Sequence, residues 1–166
     1  MSPAARPRLA ATRLYYAHPS ALDRSRGAVE LTELARDLGF DHLLVAPLFQ
    51  HRGDIFRPVD HETSSLSGAP VSTVIGDLAA ACDDAGLRPM MDLDLTRFDA
   101  EHPLVSAHPE AFTLRREAAG DRPIDPRAPA PAQGMALARL SQAAAWELIL
   151  DWMLPRATTW VDAGLQ

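Results

Sequence analysis

Asp92 and Asp94 stand two residues apart in PMMDLDLTRF (89–98), a run that otherwise reads as a buried strand. Side chains alternate across a strand. Met91, Leu93 and Leu95 therefore share one face, and Met90, Asp92, Asp94 and Thr96 share the other. The second face turns from apolar to acidic toward the C-terminal end. Two readings fit: a half-solvated edge strand, or a parallel strand whose tip lines a site.

Other residues are candidates for chemistry near this pair. Arg97 can form an ion pair with Asp94 or meet a phosphate, because a guanidinium suits both. In FRPVDHE (56–62), Phe56, Asp60 and His61 can contact a ligand or simply shape a loop. Asp92, Asp94 and His61 could converge on a divalent ion. However, DHE lacks the second histidine of His-Glu-x-x-His, and the six histidines show no metal-ligand spacing. Cys82 falls on an apolar helical stripe and reads as core rather than nucleophile. Trp146, Trp152 and Trp160 read as packing, and no glycine-rich phosphate loop is present.

The elements that position these residues follow a repeated phrase. LARDLGFDHLLVAP (34–47), AACDDAGLRPMMDLD (80–94) and TTWVDAGLQ (158–166) each end a helical pattern on a glycine followed by an apolar residue. Glycine there suits a left-handed helix cap. Helical stripes precede the first two glycines: Leu31, Leu34, Ala35 and Leu38, then Val71, Val74, Ile75, Leu78, Ala79 and Cys82. RLYYAHP (13–19) supplies a first strand. The order is strand–helix three times over, with a further strand expected to begin at Gln166. Such alternation predicts an α/β fold with a parallel sheet.

Connections after the helices are tight, whereas those after the second and third strands are long, about 48–69 and 96–134. In parallel α/β proteins the functional loops lie at the strand C-termini, which is where Asp92 and Asp94 fall. RREAAGDRPIDPRAPAPAQG (115–134) is rich in Pro, Ala and Arg and is expected to be mobile or extended. HPEAFT (108–113) suits one helical turn.

Composition bounds the rest. The 166 residues are 47% hydrophobic, enough for one core, and the net charge of −6 argues against nucleic acid or an anionic membrane as partner. A single cysteine excludes an internal disulfide framework and fits a reducing compartment. No signal peptide is legible, and AAAWELILDWML (143–154) is too short to span a bilayer, so a cytoplasmic location is expected.

The order of motifs resembles the first three strand–helix units of the α-amylase superfamily. HLLVAPLF, then a loop with FRPVDHE, then LAAACDDAGLRPMMDLDLT carry the likeness. The stretch EHPLVSAHPEAFT (101–113) is similar to a block of the bacterial maltosyltransferases that extend α-1,4-glucan from maltose 1-phosphate. WVDAGLQ looks like the entry to their fourth strand. Departures include Leu104 and Ala111 in place of tryptophan, and Thr96 and Arg97 in place of an Asn-His pair that those maltosyltransferases also lack.

The resemblance implies a partial (β/α)8 TIM barrel over 12–166, after a tail at 1–11. It implies Phe56, Asp60, Asp92 and Arg97 as substrate-binding residues, and no cofactor or metal. The implied partner is an α-1,4-glucan or maltooligosaccharide, with a sugar phosphate as candidate donor. The retaining chemistry of such enzymes uses two carboxylates about 5–5.5 Å apart. The likeness places that nucleophile and acid beyond Gln166, so the chain alone is expected to be inactive. The alternative is a non-catalytic partial barrel that binds carbohydrate or protein.

Overall fold

In the computed structural model, residues 12–23, 26–115 and 134–166 are described. A parallel sheet of order β1-β2-β3 is built from β1 (Leu14–Ala17), β2 (His42–Val45) and β3 (Arg88–Met91). Tyr16, Leu44 and Met90 lie abreast in its register. Helices α1 (Gly27–Asp37) and α2 (Val71–Ala85) connect the strands, as the alternation predicts. The ladder extends one residue past β3, since the Asp92 N–H donates to the Val45 carbonyl at 2.8 Å. Asp92 thus sits at the strand's tip, and Asp94 lies beyond it in the turn.

After β3 the chain forms a second, antiparallel sheet of order β4-β6-β5, made by β4 (Arg97–Asp99), β5 (Phe112–Arg115) and β6 (Met135–Ala138). A short helix α3 (Pro103–Ala107) and a 3-10 turn (Pro109–Ala111) lie between β4 and β5. A loop is expected over about 96–134, whereas β4 and β5 form within it and β6 just after it, so the sheet is a correction. Its strands are too short to show a period. The helical turn expected at 108–113 does form, and then passes directly into β5. Apart from Arg115 and Gly134, the loop expected to be mobile lies outside the described residues, as does the 1–11 tail.

The third helix of the series is α4 (Ala143–Asp162). One core joins Leu43, Val45, Leu48, Phe49, Ile75, Leu78, Cys82 and Trp160; a second joins Phe98, Phe112, Ala136 and Ile149. Leu95 and Trp152 pack against both and weld the two sheets together. On α2 Val71, Ile75, Leu78 and Cys82 are buried as read and Val74 and Ala79 are half-buried, but on α1 Leu34 and Leu38 are exposed while Thr32 is buried. The covered face of α1 runs through Gly27, Leu31, Thr32 and Ala35. Leu34 and Leu38 fall on its flank, which no described element covers.

Two of the cap glycines matter sterically. Gly86 has φ +69° and ends α2, and the Leu87 N–H returns to the Cys82 carbonyl. Gly164, at φ +119°, lies so close to α2 that an added Cβ would come within 2.5 Å of the Ala79 Cβ. This approach brings the Gln166 N–H within 3.0 Å of the Pro89 carbonyl. Arg88 and Asp92 bond to the β2 side, so Pro89 faces the opposite edge of β3. The chain at Gln166 therefore lies alongside that edge, where the sequence places the start of a strand. The sheet is not closed into a barrel.

Candidate functional site

The two faces of the parallel sheet differ. Leu43 and Val45 are wholly buried beneath the helices. Leu14, Tyr16, His42, Leu44, Arg88 and Met90 alternate onto the other face, which no described element covers; Tyr16 there is 50% exposed. Asp92 continues this face at the C-terminal tip. Partial burial and the nearby Asp92 carboxylate both raise the Tyr16 phenol above its ordinary range. The Asp92 Oδ1 accepts the Leu93 N–H at 2.9 Å, which orients the carboxylate. The result is an open strip carrying an aromatic ring beside an acid. As expected from the alternation, Met91, Leu93 and Leu95 pack toward the core.

Asp94 has a local role. It accepts from the Thr96 N–H at 2.8 Å and from Arg97 Nε at 2.6 Å. Burial raises its carboxyl, but the Thr96 hydrogen bonds and the Arg97 charge outweigh that and hold it below the usual carboxylate range. Arg97 also approaches Asp54 at 3.8 Å and lies 5.3 Å from the centroid of the Phe56 ring. The Phe56 N–H in turn donates to Asp54 at 2.9 Å. Phe56 and Arg97 are thus brought together, with two aspartates bracketing the guanidinium. Asp60 is used differently: its Oδ1 accepts the Glu62 N–H and, at 2.9 Å, the Thr63 N–H, closing a turn. No hydrogen bond or ion pair joins Asp60 or Asp92 to the Arg97 cluster among the described residues.

The divalent-ion reading is corrected. His61 is 1% exposed, enclosed by Phe49, Phe98, His102 and Trp152, and does not converge with the aspartates. Among the described residues no group of three or more His, Cys, Asp or Glu is arranged to hold a metal ion. Cys82 is a core residue, with its thiol pushed up to about 12 by burial and then by Asp83. Trp160 is buried and Trp152 half-buried, as expected, but Trp146 is 38% exposed.

Sequence reasoning missed Tyr16, whose signal was its register with Met90 on the face of Asp92. It also missed a buried ion pair between Arg57 Nε and Asp99 Oδ2 at 3.5 Å, with both side chains 4% exposed. This pair ties the loop carrying Phe56 and Asp60 to the antiparallel sheet, and the Asp99 N–H donates to the Pro58 carbonyl beside it. No described helix is long and apolar enough to cross a membrane. A cleft of about 470 Å³ near Leu22, Arg26, Asp77 and Ala81 lies between α1 and α2, on the helical side of the sheet.

No protein-family model and no curated protein sequence matches this chain. Solved structures do match. The chain is similar to a maltogenic α-amylase, AmyB of Thermotoga neapolitana, at 16% identity and TM-score 0.60, covering 86% of this chain and 35% of that one. It is similar to the α-glucosyl transfer enzyme XgtA at 13% identity and TM-score 0.66, covering 93% and 35%. A trehalose-6-phosphate hydrolase of Bacillus licheniformis gives 13% identity and TM-score 0.62, covering 93% and 34%. The chain spans about a third of the length of these proteins, and at these identities the likeness is one of fold. Its fold matches part of the barrel of these structures.

Proposed function

We propose that this chain is the N-terminal part of an α-glucan-active glycoside hydrolase or transferase, with the open sheet face turned toward the sugar. One observation carries the reading. Asp92 lies at the C-terminal tip of β3, beside Tyr16, on the uncovered face of a sheet that folds like part of sugar-active barrels. The carboxylate accepts hydrogen bonds from sugar hydroxyls, and the exposed ring offers an apolar surface to a pyranose. Phe56, on the loop after β2, and Arg97, at the start of β4, form a rim, and Asp60 holds a turn of that loop.

A maltosyl-transferring chemistry through a covalent glycosyl-enzyme fits the EHPLVSAHPEAFT stretch. A neutral glucan suits the rim better than a sugar phosphate. Arg97 is already flanked by Asp54 and Asp94, which leaves the cluster with an excess negative charge. The carboxylate pair required for turnover belongs to strands outside these residues. The chain alone should therefore bind weakly, with Kd on the order of millimolar, and should not turn over maltodextrin or maltose 1-phosphate. Saturation-transfer NMR with maltoheptaose tests this: signal with the wild type, and at least a severalfold loss with Asp92→Asn. Equal signal from both proteins would remove Asp92 from the site, and robust turnover would sink the account of the missing carboxylates.

A non-catalytic partial barrel is the second reading, favoured by the exposure of Leu14 and Tyr16 on the open sheet face and of Leu34 and Leu38 on α1. Such a module would bury these apolar side chains against a partner.

A further inference from the structure

Two buried rings lie next to this loop, and the sugar reading does not use them. His61 and His102 are 1% and 0% exposed, and His61 Nδ1 lies 2.9 Å from His102 Nε2. The direction of this bond follows from what else the rings touch. His102 Nδ1 accepts the Leu104 N–H at 3.1 Å at the start of α3, so that nitrogen carries no proton. In a neutral ring the proton then sits on Nε2 and is donated to His61 Nδ1. His61 is left with its own proton on Nε2, a buried atom with no hydrogen-bond partner among the described residues. Around the His61 imidazole stand Phe49, Phe98 and Trp152, at centroid distances of 4.4, 5.8 and 5.1 Å.

Neither ring has room for a second proton. On His61 it would go to Nδ1 and face the N–H of His102; on His102 it would go to Nδ1 and face the N–H of Leu104. The surroundings act in the same direction. Burial, then His102 and Arg156, push His61 down to about 2. Burial pushes His102 down to about 4; the Asp60 carboxylate opposes this and Arg156 adds to it. Apart from Asp60, the charges that neighbour the two rings in sequence are paired among the described residues. Glu62 pairs with Arg156 at 2.7 Å, Glu101 with Arg52 at 2.6 Å, and Asp99 with Arg57 at 3.5 Å.

We propose that the His61–His102 hydrogen bond is a latch that holds only in its neutral form, and that it positions the Phe56–Asp60 segment against the antiparallel sheet. His61 directly follows Asp60 in the loop after β2, and His102 opens α3 beyond β4, so the bond ties that loop to the segment between β4 and β5. Its link to ligand binding rests on the sugar reading above; the latch itself does not. The pH sign is fixed by the closed state refusing protons. An open imidazole titrates at about 6.5, so below that pH the open form binds protons that the closed form does not. The closing constant then falls up to about tenfold per pH unit for each ring, or about a thousandfold for both between pH 7.5 and 5.

The test uses the ¹⁵N-labelled 166-residue chain, titrated from pH 7.5 to 5.0, reading imidazole nitrogens and backbone amides together. At pH 7.5 both rings should be neutral with the proton on Nε2. On acidification the Phe56, Asp60 and Leu104 amides should leave their closed positions, while those of Leu43 and Ile75 stay protected. The double variant His61→Asn/His102→Asn keeps an acceptor near each Nδ1 position and removes both titrating groups, so the acid response of Phe56 and Asp60 should vanish. An Nδ1-protonated or charged ring at pH 7.5 would overturn the proposal. So would a loop that opens only together with Leu43 and Ile75, or a folded double variant that keeps the acid response. If the double variant does not fold, the ring and amide readings on the native chain still decide. Maltoheptaose added at pH 7.5 separates the two claims: an intact latch with no sugar-induced shifts counts against the sugar reading alone.

Discussion

Asp94 and Asp60 are residues whose types suggest chemistry and whose contacts are structural. Asp94→Ala removes the acceptor of Thr96 and the partner of Arg97 and should cost about 1–2 kcal/mol, because the pair is partly exposed. Urea unfolding at pH 7 measures this, and a loss of under 0.5 kcal/mol, on the order of the weakest surface pairs, would show that the pair is fully solvated. Because its folded carboxyl is held below the ordinary value, Asp94 stabilises fully above the unfolded pKa. That contribution is lost only as pH falls through the folded value. The Asp94–Arg97 pairing was legible in the sequence, since both lie in one short turn. His61 was not: its hydrogen-bond partner is 41 residues away, and a lone histidine beside an acid gives no sign of being buried. The ion pair of Arg57 and Asp99 was hidden for the same reason.

At the scale of elements, α2 shows what a sequence reveals when a stripe is fully covered. Val71, Ile75, Leu78 and Cys82 are buried as the period predicts. The Cys82 thiol, pushed up to about 12, should therefore resist a disulfide reagent at pH 8 in the native chain and react at once in urea. Rapid native labelling would mean that α2 opens locally. The stripe on α1 misled because Leu34 and Leu38 have the helical period but no neighbour to cover them. The antiparallel sheet was illegible because its strands are short and β5 and β6 pair across a long separation in sequence. Gly164 can be tested by substitution. Gly164→Ala sets a Cβ against Ala79 at a positive φ and should cost about 1–3 kcal/mol. Hydrogen exchange should show the Gln166 amide losing the protection it has from the Pro89 carbonyl. Unchanged protection would show that the chain end relaxes without leaving β3.

For the whole molecule, the parallel sheet is covered on one face and open on the other, with Leu14, Leu34, Leu38, Leu154 and Val161 exposed around it. Apolar flanks of this kind favour association. Sedimentation velocity on the isolated 166 residues should show concentration-dependent self-association; a monomer over a hundredfold range of concentration would remove the second reading of function. The central claim is that the open face meets a glucan. The measurement that tests it most directly is to map maltoheptaose binding on the ¹⁵N-labelled chain at pH 7.5, residue by residue. If the open face meets the sugar, Tyr16, Leu44, Met90, Asp92 and Phe56 shift saturably, with Ile75 and Cys82 unmoved. Shifts confined to the helical side, or none at saturating sugar, would contradict it.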